Sequence, residues 1–142
     1  MKYYFSGIGY WAKVQEPVDN YDKAKPKEYK IDVVLDDKSW HLFDESGCQL
    51  QPRVNDKDER YVSFRCPVSA EIKGEKRTYK PTVLDNDNQP FDGLIGNGSG
   101  VTCKVDVYPT RMGMGHRLDA VRVDNLVEYA GSQTKGEIES PF

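Results

Sequence analysis

Val101-Thr102-Cys103-Lys104-Val105-Asp106-Val107-Tyr108 decides the fold class. The apolar side chains at 101, 103, 105 and 107 alternate with polar or amphipathic ones at 102, 104, 106 and 108. That period of two puts every apolar group on one face of an extended strand. A strand that is apolar on one face only suits an antiparallel sheet with one face on a core and the other in water.

The same period recurs to either side. Ile8 to Val14 is one such run, and Tyr29 to Leu35 is a second, with Ile31, Val33 and Leu35 sharing a face. Arg60 to Cys66 points Val62, Phe64 and Cys66 inward. Tyr79 to Leu84 is a short strand after the charged turn Lys73-Gly74-Glu75-Lys76, and the last strand runs from about Leu118 to Tyr129. Gln15 to Glu28 holds Pro17, Pro26 and three lysines (Lys23, Lys25, Lys27) and reads as a loop. Asp36 to Gly47 is the helix candidate: Asp36 or Asp37 caps its start, Trp40 and Phe43 share a face, and Gly47 stops it. Strands apolar on one face must bury that face together, and closing a barrel does so while removing open edges. Five principal strands with one short capping helix predict an all-β, OB-like five-stranded barrel over residues 1–129. The Gly/Ser/Gln/Thr/Lys-rich stretch 130–142 is too polar to pack and is expected to be a flexible tail.

A chain of 142 residues is long enough for one domain with its own core. Nothing approaches the roughly 20 apolar residues of a membrane-spanning helix. Met1-Lys2-Tyr3-Tyr4-Phe5 lacks the pattern of a secretory leader, so a cytoplasmic location is expected. Cys48, Cys66 and Cys103 are odd in number and widely spaced; Cys66 and Cys103 fall inside alternating runs and read as core. Net charge is −3, but it is uneven: residues 1–80 carry 15 Lys/Arg against 14 Asp/Glu, residues 81–142 only 5 against 9. A groove needs only local positive potential, so the global sign does not exclude a nucleic-acid partner.

Catalytic motifs fail on inspection. Ile95-Gly96-Asn97-Gly98-Ser99-Gly100 has no lysine and leads into a strand, so it is a turn or bulge rather than a phosphate loop. Asp85-Asn86-Asp87-Asn88-Gln89 starts like a calcium loop, but Pro90 and Gly96 stand where glycine and glutamate are needed. An Asx-rich hairpin turn is the better reading. His41 and His116 are isolated, and no nucleophile has a paired base. No enzyme, no metal and no cofactor is expected.

The outward positions carry the functional signal. Trp11 and Lys13, then Lys30, then Tyr61 and Arg65, then Lys104 and Tyr108 mix aromatic rings with cations opposite the core residues, and Tyr10 beside Trp11 is a further candidate contact. Bases stack on such rings while cations neutralise phosphates. The lysine-bearing loop with Tyr21 and the segment Pro109 to Arg117 are expected to border the groove, its glycines letting Arg111 and Arg117 follow an irregular backbone. The competing reading is a protein-interaction module on the same barrel, which the acidic balance favours. A sugar-binding domain fits less well, because cations rather than carboxylates accompany the aromatics.

From about residue 28 to residue 129 the chain also resembles the single-stranded-DNA-binding replication proteins of short-tailed coliphages. The matching segments are Tyr29-Lys30-Ile31-Asp32-Val33, Val62-Ser63-Phe64-Arg65-Cys66, Val83-Leu84-Asp85 through Ile95-Gly96-Asn97-Gly98-Ser99 into Lys104-Val105, Pro109, and Asn125-Leu126-Val127-Glu128. Tyr10-Trp11-Ala12-Lys13 extends the match to the first strand. The resemblance implies an OB fold that protects exposed single-stranded DNA during phage replication and recombination, in the host cytoplasm. It further implies contacts with a phage DNA polymerase or helicase through the C-terminal peptide, here Glu137, Glu139, Pro141 and Phe142. Thr110 and Met112 stand where a family member carries an aromatic pair. The resemblance leaves a homodimer open, and the insertion before the third strand is shorter here than in the family.

Overall fold

The computed structural model describes residues 1–128; Glu137, Glu139, Pro141 and Phe142 of the expected tail lie outside them. The described elements are β1 (Lys2–Val18), β2 (Glu28–Leu35), α1 (Asp37–Ser46), β3 (Arg53–Val54), β4 (Arg60–Pro67), β5 (Ser69–Ile72), β6 (Glu75–Thr78), β7 (Thr82–Leu84), β8 (Ser99–Thr110) and β9 (Gly113–Asn125). One seven-stranded sheet runs β3-β4-β2-β1-β8-β9-β7, and β5 with β6 forms a separate hairpin. The OB-like framework expected from the alternation is the long middle of that sheet, β4-β2-β1-β8-β9. The short strand expected within Tyr79–Leu84 is β7, and three further short strands, β3, β5 and β6, exceed the expectation, because two to four residues are too few to display a period.

β1 begins at Lys2 rather than Ile8. Aromatic rings at Tyr3, Tyr4 and Phe5 fall on both faces and hide the alternation there, although Phe5 alone is fully buried. Pairing of β1 with β2 starts at Gly7 and with β8 ends at Gly9, so one curved strand joins two halves of the sheet. The expected Pro109–Arg117 loop is instead a tight hairpin: Thr110 pairs with Gly113 across Arg111-Met112. Its glycines serve packing rather than looseness, since a Cβ on Gly115 would lie 2.8 Å from the Tyr108 ring. The strand expected to end at Tyr129 ends at Asn125, and Leu126–Glu128 fold back over residues 96–99, where Gly96 donates to the Val127 carbonyl at 2.8 Å.

The helix follows its sequence signals closely. Asp36 Oδ1 accepts from the Ser39 N–H at 2.8 Å, and Gly47 takes the left-handed φ of 77° that ends the last turn. Phe43 enters the core edge-on to Phe5, which stacks on Phe64 with ring centres 5.4 Å apart. Trp40 stays half-buried under the Arg60 guanidinium. Cys66 and Cys103 are core residues, and burial pushes both thiols up. The Asp85 carboxylate accepts from the Asp87 and Gln89 N–H groups, making the expected Asx turn.

The sheet curls but does not close, so the word barrel holds only loosely. β4 comes against β9 without a backbone ladder. Between them, the Arg65 N–H donates to His116 Nε2 at 3.0 Å, and the His116 ring lies beside Phe64. An accepting Nε2 fixes the neutral tautomer with its proton on Nδ1. Burial, helped by the nearby Arg65 charge, lowers the His116 pKa to about 4.

Candidate nucleic-acid interface

The register of β1, β2 and β4 draws two rows across the outer face of the sheet. In one, Tyr10 stands opposite Asp32 and Asp32 opposite Ser63. In the next, Lys13 stands opposite Lys30 and Lys30 opposite Arg65. On β2 the rows are two residues apart, about 6.6 Å. An aromatic–polar row thus runs beside a cationic one. Lys13 and Lys30 make no ion pair among the described residues, leaving both charges available to an anion. Arg65 pairs with Glu28 at 2.8 Å, and Glu28 is buried, so that guanidinium is held in place and partly neutralised.

Trp11 leaves the sheet through a bulge. From Tyr10 to Lys13 the chain advances three residues while β2 advances two, from Asp32 to Lys30. Trp11 takes a φ of 51° and remains 61% exposed. A left-handed aromatic residue costs about 1–3 kcal/mol and persists only when its surroundings hold it. The holder is the glycine-rich turn. Asn97 Oδ1 accepts the Trp11 N–H at 2.8 Å, and the Gly98 N–H donates to the Gly9 carbonyl at 2.9 Å. Gly98 itself needs a φ of 95°. Gly96 admits no Cβ, which would fall 2.3 Å from the Val127 carbonyl oxygen.

Tyr10, Trp11, Asp32, Tyr61 and Asn97 then line a cleft of about 240 Å³, completed by Asn55, Asp56 and Lys57. The β3–β4 turn is rigid, because Asn55 Oδ1 accepts from the Lys57 and Glu59 N–H groups, both at 2.9 Å. Sequence reading missed Asp32, the Asn55–Lys57 turn and Asn97 as parts of this site. Asp32 was legible as the outward neighbour of Lys30, whereas Asn97 acts across 86 positions of chain and leaves no local signal.

Six of the expected site residues, Tyr10, Trp11, Lys13, Lys30, Tyr61 and Arg65, therefore share the β1–β2–β4 face. Lys104, Tyr108 and Arg117 do not join them. They belong to the outer side of β8 and β9, where Lys104 faces the Tyr4 ring and the Tyr108 hydroxyl donates to the His116 carbonyl. Arg117 is engaged by Asp119 at 2.8 Å and Asp106 at 3.6 Å, with its guanidinium 4.6 Å from the Tyr79 ring centre. Its pKa is raised, because hydrogen bonding and charge from those partners outweigh the cost of desolvation. Arg111 sits at the exposed tip of the β8–β9 hairpin.

No protein-family model and no curated protein sequence matches the chain. Solved structures do. The crystal structure of gp2.5, a single-stranded-DNA-binding protein encoded by bacteriophage T7, superposes with a TM-score of 0.63 at 18% identity, over 99% of this chain and 98% of that one. The fold is that of phage single-stranded-DNA-binding proteins. The bacteriophage Enc34 single-stranded-DNA-binding protein in complex with ssDNA shares this phage strand-binding fold, with a TM-score of 0.62 at 11% identity over 90% and 88% of the two chains. A further structure of the Enc34 single-stranded-DNA-binding protein superposes with a TM-score of 0.59 at 12% identity over 97% and 90% of the two chains. Identities this low carry the phage strand-binding fold without carrying any single residue of the site.

Proposed function

We propose that the chain is a non-catalytic protein that coats single-stranded DNA, protecting it during phage replication and recombination in the host cytoplasm. The observation that carries the reading is the pair of rows on the β1–β2–β4 face, rings beside cations, on a fold whose solved examples are named as strand binders. Successive bases stack on Trp11, Tyr10 and Tyr61, each worth about 1–3 kcal/mol. Lys13, Lys30 and Lys57 meet the phosphates, and the loop carrying Tyr21, Lys25 and Lys27 extends the track, as loops do beside the ligand face of OB folds. Residues 1–129 are the binding domain in this reading, and 130–142 offer a peptide to a polymerase or helicase; a homodimer is compatible with it.

Titration of the tryptophan fluorescence with dT oligonucleotides tests the reading. Trp11 is exposed and should be quenched, while half-buried Trp40 supplies a constant background. Affinity should fall as salt rises, with a log–log slope of about −2 if three cations each displace a counterion. Trp11→Ala should remove the quench and weaken binding by about 1–3 kcal/mol. Equal affinity for duplex DNA, or no binding to either form, overturns the proposal.

A further inference from the structure

We infer that Asp32 makes the cleft beside Trp11 selective for bases that present an exocyclic amino group, disfavouring thymine and uracil. The inference rests on the strand-binding reading and goes beyond it by naming which bases the site accepts. A carboxylate in the middle of a face otherwise suited to phosphates weakens general strand binding, so its surroundings are informative. Asp32 is half-buried between Tyr10 and Ser63 in the cross-strand row. Its side chain accepts from the Ser63 hydroxyl at 2.5 Å, and among the described residues no lysine or arginine pairs with it. Ser63 takes one of about four lone-pair sites on the two oxygens, leaving the rest open to a ligand.

Three other polar side chains of the cleft are engaged or peripheral, and exposed Lys57 meets phosphate in the strand-binding reading. Asn55 holds its own turn, Asn97 Oδ1 holds Trp11, and Asp56 is exposed at the rim. A base laid against the Trp11 or Tyr61 ring within the cleft brings its polar edge to a group that only accepts. Cytosine offers the N4 amino group to such an acceptor, which is the pairing carboxylates make with that base in DNA grooves. Adenine offers N6, and guanine an N–H and an amino group side by side. Uracil and thymine put O4 at the same place, and their single ring N–H lies between two carbonyl oxygens that the carboxylate repels.

Oligo(dC) and oligo(dU) of equal length separate the two cases, since their bases share ring size and lack the methyl group. In competition titrations at neutral pH the wild-type protein should bind oligo(dC) about tenfold more tightly, the effect of one charge-assisted hydrogen bond. Asp32→Asn keeps the shape and the Ser63 contact but can donate as well as accept. It should bind both strands with similar affinity. Binding of both by the wild type without preference, a preference for oligo(dU), or a preference that survives in Asp32→Asn overturns the inference and leaves the proposed function standing. Binding of neither overturns the proposed function and this inference with it. Should the variant melt early, the wild-type ratio alone decides.

Discussion

Asn97 shows how one residue of no evident chemistry can govern a site. Its side chain is the hydrogen-bond acceptor that stabilises Trp11 in a backbone conformation few residues adopt. Asn97→Ala should free the bulge, so that the indole samples several positions and must be ordered on binding. Affinity for dT oligonucleotides should drop about three- to tenfold, in line with one lost hydrogen bond of roughly 1 kcal/mol, with little change in Tm. In the Trp11→Ala background the same substitution should have almost no further effect; additive losses would separate Asn97 from the ring. At this scale the sequence was partly readable. Alternation placed Trp11, Lys13, Lys30, Tyr61 and Arg65 outward, because a period of two is a local property; Tyr10 shares a face with Lys13 only through the bulge between them, which no period shows. It could not place Lys104 and Tyr108 on another side, since curvature of the sheet is not written in any one strand.

Among elements, β1 carries the most. It pairs with β2 through its second half and with β8 through its first, and Gly7 lies where both pairings overlap. A Cβ there would stand 2.1 Å from the Val34 carbonyl oxygen. Gly7→Ala should therefore force β1 away from β2 and destabilise the protein by about 1–3 kcal/mol, the usual range for overpacking, read as a lower urea midpoint. An unchanged midpoint would show that the backbone yields there easily. The helix was legible to within a residue because its two stops, Asp36 and Gly47, act through local hydrogen bonds and φ. The β8–β9 hairpin was read as a loop for the opposite reason: its glycines suggested flexibility, while the structure uses the one at 115 to let the Tyr108 ring cross.

For the molecule as a whole, the contact between β4 and β9 ties stability to pH. His116 is neutral in the folded protein, with a pKa of about 4 against an ordinary 6.5. As pH falls below 6.5 the unfolded chain takes up a proton that the folded one refuses, so stability declines toward pH 4 and levels off below it. The full loss is roughly 3 kcal/mol. His116→Gln, which keeps an acceptor without a titrating ring, should flatten that part of the curve in urea unfolding across the acid range. An equally steep curve would assign the acid sensitivity to other groups.

A cylinder joined along one line by side chains and not by paired backbone has a grain. Disturbance parts it first where Arg65 leans on an imidazole, and the two borders swing apart while every ladder from β4 round to β9 stays intact. Roundness is lost before pairing is. The rows begin on β1 and β2, inside that ribbon, and end on β4 at the parting border, so most of the surface that meets a ligand can outlast the enclosure behind it.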